Sequence, residues 1–178
     1  MKPATALVII DVQAGIIGLP VTRAAETLGR INLLLERART AGTPVIYVQH
    51  DGPAGHPVEA GTAGWQIHAA IAPRPGEPVI HKRNCDSFFE SALQSELARR
   101  NISHLVIAGC MTEYCVDTAC RRAVSLGYDV TLAADAHTTA DTEALTAAQI
   151  IRHHNALLEG FSAGGHSVSI SPAHEISF

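Results

Sequence analysis

No apolar run in this 178-residue chain approaches the roughly 20 residues that a bilayer-spanning helix needs. The opening stretch MKPATALVIIDVQ has neither a long apolar h-region nor a small-residue cleavage site. No membrane association is expected, and a cytoplasmic location is. The chain also lacks a basic field: 13 Lys and Arg stand against 17 Asp and Glu, for a net charge of −4. That balance argues against nucleic acid as a partner. The four cysteines, Cys85, Cys110, Cys115 and Cys120, form no CxxC pair, and a disulfide framework does not suit a domain of this size. Three of them read as small buried hydrophobes. The turn after the first apolar run, DVQAGIIG, has no GxGxxG, which removes the signature of a nucleotide-dependent oxidoreductase. Lysine is scarce as well. Only Lys2 and Lys82 are lysines, and Lys82 falls inside the fold, where burial can tune an amine as it cannot tune a guanidinium.

What is present is an ordinary globular mixture, 47% apolar and 17% charged, that predicts one domain over residues 1–178. Short apolar runs alternate with longer amphipathic ones. Ala6–Ile10, Pro44–Val48, Pro78–Ile80, His104–Ala108, Asp129–Ala133 and Ser167–Ile170 read as strands. Helical spacing joins Ala24, Leu28, Ile31, Leu35 and Ala38, closed by Gly42 and Pro44. It also joins Phe89, Leu93 and Leu97, and Val116, Cys120, Ala123 and Val124, with Gly127 as a C-cap. A last helix is placed from about Asp141 to Leu158. Residues 50–76, rich in Gly, Pro and Ala, form a long loop with one short helix at Trp65–Ile71. Continuous apolar strands separated by helices predict a doubly wound α/β fold, a mostly parallel sheet of about six strands covered on both faces. In such sheets chemistry sits beyond the carboxyl ends of the strands. Asp11, Lys82 and the segment after Gly109 all fall there.

Cys115 lies in GCMTEYCV, a strand-to-helix turn, and in the first turn of the helix that follows. Helix N–H groups and the macrodipole favour an anion there, so the thiolate is expected to form more easily. The same N–H groups can hold an oxyanion after the thiolate attacks a carbonyl. Asp11 can take the thiol proton and return it to a leaving nitrogen, and Lys82 can hold both charges in place.

Four separated segments, LVIIDVQ, VIHKRNCDSFF, GCMTEYCVDTACRRAVSLGYDV and ADAHTT, resemble in order the isochorismatase-like family of cysteine hydrolases, which includes nicotinamidases and N-carbamoylsarcosine amidases. The resemblance implies a catalytic Asp11, Lys82 and Cys115, a non-proline cis peptide between Cys110 and Met111, and oxyanion-hole amides at Met111 and Cys115. It implies hydrolysis of a C–N bond in a small amide, ureide, carbamoyl compound or lactam through a thioester, by a homo-oligomeric enzyme. Nicotinamidases hold a metal with an aspartate and a histidine two residues later, at the end of the second strand; here those positions read His50 and Gly52. The true isochorismatases lack the nucleophilic cysteine.

Several residues admit two readings. Gln13 leans to the pocket mouth or is a solvated loop amide. Tyr114 lines the pocket or lies on the surface. Trp65 walls the pocket or packs in the core or at a subunit interface. Asp86 orients Lys82 or caps the Phe89 helix. His153 and His154 read as structural or exposed. His50, Asp51, His56 and His68 are the ligand types that suit zinc or iron. Because glycine has no side chain to donate and the other histidines sit far apart on a loop, no metal and no cofactor are expected. Two alternatives remain: a catalytically idle binding or regulatory module, and a nicotinamidase with an atypical metal site.

Overall fold

A computed structural model describes residues 4–178; Lys2 lies outside them. Seven strands form one sheet in the order β3-β2-β1-β4-β5-β7-β6. They are β1 (Thr5–Ile10), β2 (Val45–His50), β3 (Val79–Lys82), β4 (His104–Cys110), β5 (Asp129–Thr138), β6 (Ser162–Ala163) and β7 (His166–Ser171). All pairings are parallel except the short β6–β7 pair. Helices α1 (Ala14–Ile17), α2 (Ala24–Ala41), α3 (Leu93–Arg99), α4 (Asp117–Ser125) and α5 (Ala147–Leu158) connect the strands. Along β1, Leu7 and Ile9 pack into one core while Ala6, Val8 and Ile10 pack into the other. A strand buried on both faces must be apolar at every position, which is why β1 reads as an unbroken run. The α2 residues Ile31, Leu34, Leu35 and Ala38 cover one face; Leu93 and Leu97 of α3, with Ala119, Cys120 and Ala123 of α4, cover the other. Among the described residues no helix is long and apolar enough to cross a membrane.

Several elements differ from the sequence expectation: α1 is an additional short helix, and the helix expected at Trp65–Ile71 is a single turn over Ala69–Ile71. Phe89 is not helical and is half-exposed. Glu90 turns left-handed at φ 50°, so α3 starts only at Leu93. The last helix begins at Ala147, not near Asp141, because a capping box fixes its start: Thr146 Oγ1 accepts the Gln149 N–H, and Gln149 Oε1 accepts the Thr146 N–H. The residues before it belong to the continuation of β5 to Thr138 and to a turn closed by Thr142 and Leu145. β6 is an additional strand of two residues.

The place where β1 and β4 come together decides the shape of the carboxyl-end cleft. Ile10 is in register with Gly109, which adopts φ +135°. A Cβ on Gly109 would stand 2.1 Å from the Ile10 carbonyl oxygen and 2.7 Å from its nitrogen, so only glycine lets the strands close. The pairing of β4 with β5 also shifts register between Ile107 and Gly109, the kind of bulge that re-aims a strand end. Gly109→Ala is therefore expected to cost about 3 kcal/mol, a fall in Tm of about 6–12 °C for a chain of this length. Calorimetry showing a Tm within about 2 °C of wild type would contradict the close approach.

Candidate active site

Three strand ends deliver three reactive groups to one spot. Asp11 follows β1 with a left-handed backbone, φ 51°, a conformation aspartate tolerates better than most residues. Its N–H donates to Val48 of β2 and its carbonyl accepts from Gln13. Lys82 ends β3, and its side chain crosses beneath β2, with Nζ 2.7 Å from Asp11 Oδ2. Neither carboxylate oxygen is taken by a well-oriented hydrogen bond. The contact is thus an ion pair that leaves lone pairs open to a proton. Both side chains are almost fully buried. Burial alone would depress the Lys82 ammonium, but the charges of Asp11 and Cys115 outweigh it, and the net shift is upward.

Cys115 hydrogen-bonds both Lys82 and a second thiol, Cys85, which follows β3 and is exposed. Cys85 Sγ also lies 3.4 Å from Thr118 Oγ1, and its carbonyl accepts from Lys82 Nζ at 3.1 Å. The reading of the cysteines other than Cys115 as buried hydrophobes holds for Cys110 and Cys120 and fails for Cys85. The two thiols titrate as a pair. The hydrogen bond from Cys115 lowers Cys85 to about 6, against a burial penalty. The same hydrogen bond, then burial, then the Asp11 carboxylate push the Cys115 thiol up, with Lys82 opposing. The direction for Cys115 runs against the expectation of a readily formed thiolate there. The dipole argument presumed an α-helical first turn. The chain instead passes through a cis peptide at Cys110–Met111 and a π-helical turn over Thr112–Val116 before α4 begins.

That turn is tied down from behind. The buried His137 accepts the Thr112 hydroxyl on Nδ1 at 2.8 Å and donates from Nε2 to Asn155 Oδ1 at 2.9 Å. Asn155 Nδ2 donates to the Ala134 carbonyl, which fixes its orientation. Burial holds His137 neutral by lowering it to about 4.

Above the floor lies a cavity of about 240 Å³, walled by Ile16, Val58 and Met111 on its apolar sides and by His50, His56 and Tyr114. Tyr114 lines it while remaining largely exposed. Gln13 does not line it. Its amide is spent on the backbone, donating to the His50 and Trp65 carbonyls and accepting the His50 N–H, so no donor is left for a ligand. Trp65 is also turned away: it stacks on His81 at 5.5 Å and donates to Asp51 Oδ1 at 2.7 Å. Asp86 accepts the Phe88 N–H and pairs with Arg122, capping a turn instead of orienting Lys82. His153 and His154 lie together on α5. Ile16, Val58 and Cys85 were not singled out by sequence reasoning. The first two approach the site only through the fold of α1 and the loop, and Cys85 betrayed itself only by lying three residues after Lys82.

The four potential metal ligands are not gathered. His50 and His56 rings lie 5.8 Å apart, but Asp51 is engaged with Trp65 and His81, and His68 caps a 3-10 turn. Among the described residues no three His, Cys, Asp or Glu side chains are grouped to hold a metal ion. A side chain at position 52 has no room either, because a Cβ on Gly52 would meet His56 Nδ1 at 2.7 Å. The aspartate–histidine arrangement of nicotinamidases does not fit these residues.

Comparison with known proteins gives a consistent picture. A family model described as the isochorismatase domain matches residues 5–158. A streptothricin hydrolase of Streptomyces noursei is 38% identical over 141 residues, which cover 78% of this chain and 51% of that protein. The chain thus spans about half the length of that relative. The ureidoacrylate amidohydrolase RutB of Caulobacter vibrioides is 31% identical over 171 residues, covering 74% of this chain and 76% of that one. The crystal structure of a putative isochorismatase hydrolase from Oleispira antarctica superposes with a TM-score of 0.89 at 30% identity, covering 98% of this chain and 96% of that one.

The thiol pair can be tested directly. At pH 7 iodoacetamide is expected to label one cysteine fast, Cys85, with a rate that falls as pH drops through about 6. In Cys85→Ala the largest upward influence on Cys115 is gone, so Cys115 should react at lower pH than in the wild type. Peptide mass spectrometry that found Cys115 labelled before Cys85 would reverse the assignment.

Proposed function

This chain belongs to the isochorismatase family, and on that premise we propose that it is a cysteine hydrolase cleaving the C–N bond of a small amide, a class that includes ureides, carbamoyl compounds and lactams. The observation that carries the reading is the convergence of Asp11, Lys82 and Cys115 at one end of a small cavity. A pure binding module has no need of a thiol beside an ion-paired carboxylate. RutB, a ureidoacrylate amidohydrolase, acts on a bond of the same kind.

Cys115 passes its proton to Asp11, whose oxygens are free of oriented hydrogen bonds. The thiolate adds to the substrate carbonyl, and the C–S bond forms as the carbonyl π pair moves to oxygen. The backbone amides of Met111 and Cys115 hold that oxyanion. The C–N bond then breaks, the nitrogen takes the proton from Asp11, and the amine leaves a thioester behind. Water attacks the thioester and gives a proton to Asp11; the C–S bond breaks, the acid leaves, and the Cys115 thiolate takes the proton back from Asp11. Lys82, ion-paired with Asp11, damps the charge on sulfur in each half of the cycle. No step is routed through a metal, since the residues at the end of β2 do not form the set that would hold one.

Cys115→Ala should lower kcat by about 10⁴-fold or more with an unchanged Tm. Asp11→Asn and Lys82→Met should each lose about 10²–10⁴-fold. Cys120→Ala, deep in the core, should remain active. Ammonia or amine release from a panel of small amides and ureides is the assay, and full activity in Cys115→Ala sinks the covalent route.

We also propose a closed homo-oligomer, for which the exposed Phe89, Tyr114, Leu145 and Leu157 offer apolar surface. Light scattering should return a multiple of 18.8 kDa, and a mass of 18.8 kDa at working concentration would overturn it.

A further inference from the structure

The imidazole of His50 is in an unusual position for a side chain so firmly placed. Its backbone N–H and carbonyl are both held by the Gln13 amide, and it sits in register with Lys82 at the end of β2. Yet its Nδ1 is buried and has no hydrogen-bond partner among the described residues. A buried nitrogen of this kind is unfavourable until a ligand's polar group meets it. His50 lines the cavity, as does His56, whose Nδ1 accepts the Val58 N–H at 3.3 Å and so leaves the proton of the neutral ring on Nε2. Ile16, Val58 and Met111 supply apolar wall, and Asp11, Tyr114 and Cys115 complete the polar part of the lining. None of the residues lining the cavity is a lysine or arginine; Lys82 lies behind the floor, already paired with Asp11.

Resting on the reading of Cys115 as nucleophile, we propose that this site selects uncharged amides over carboxylate-bearing ones, and that His50 is the specificity-determining residue, its ring in the cavity wall bonding a polar group of the substrate. An entering carboxylate would give up its hydration next to the Asp11 carboxylate with no free cation to meet it. An uncharged group gives up less, and it completes the hydrogen bonding of His50. Burial, then the nearby Lys82 and His56, also lower the His50 pKa against the pull of Asp11, which keeps the ring neutral and so poor at attracting anions.

Succinamide and succinamate form a matched pair, differing only in whether the far end is an amide or a carboxylate. The wild type should show kcat/KM about 10–100-fold higher for succinamide. His50→Leu should erase most of that ratio, mainly by raising KM for succinamide, and His50→Asn, which keeps a polar tip, should restore part of it. Where turnover of the pair is too slow to measure, protection of Cys115 from iodoacetamide in the Cys85→Ala background, read by peptide mass spectrometry, should come from succinamide and not from succinamate. Equal or inverted preference, a ratio that survives His50→Leu, or protection by neither compound overturns the proposal. Turnover that survives Cys115→Ala would instead overturn the nucleophile assignment, and the preference ratio could still be read in that variant.

Discussion

A lysine ammonium cannot stay charged inside a dry core without an anion beside it, and the contact of Lys82 with Asp11 at 2.7 Å meets that requirement. The rest of the site follows from it. The pair links the ends of β3 and β1 across β2, so His50, which lies between them, has a fixed place. It sets the carboxylate where a proton acceptor is useful, and it places a cation within reach of Cys115. Removing either partner alone would strand a buried charge, with a penalty of about 3–5 kcal/mol. Stability and chemistry therefore make the same demand on these two residues.

Around that pair the protons are arranged less simply than a helix-start cysteine suggests. A π-helical turn replaces the first α-helical one, a carboxylate sits close by, and a neighbouring thiol competes for the negative charge. These influences draw negative charge towards the exposed Cys85 and oppose it on the buried Cys115. In the proposed reaction the nucleophile is formed on demand, with the carboxylate taking the proton when a carbonyl is in place to accept the electron pair. The Thr112–His137–Asn155 chain keeps the turn in position while this occurs.

The strands, the doubly wound sheet and the strand-end location of Asp11, Lys82 and Cys115 were legible in the sequence. A strand buried on both faces has no polar positions, and a parallel sheet gathers its reactive groups at one edge. What resisted reading depended on contacts between distant segments. Gln13 looks free to face a ligand until the loop carbonyl of Trp65 is brought to it. Trp65 looks like a pocket wall until His81 and Asp51 supply a stack and an acceptor. The start of α5 was an exception, since Thr146 and Gln149 carry the capping-box spacing in plain view and the helical period was extended past it. Cys85 is a matter of chemistry more than of fold: its meaning comes from a thiol 30 residues away.

The Gln13 amide joins the element that carries Asp11 to both ends of the segment between His50 and Trp65. Closing a loop grows more unfavourable only slowly with its length, by about 0.6 kcal/mol for each doubling. With its ends pinned by one side chain, the stretch containing His56 and Val58 can change in length and residue type while the strand ends stay where they are. The wall that His56 and Val58 add to the cavity is in this sense replaceable, and the strand ends that carry His50 and the reactive groups are not. A graft of another loop between these two anchors is a rational route to a new specificity on an unaltered reaction centre.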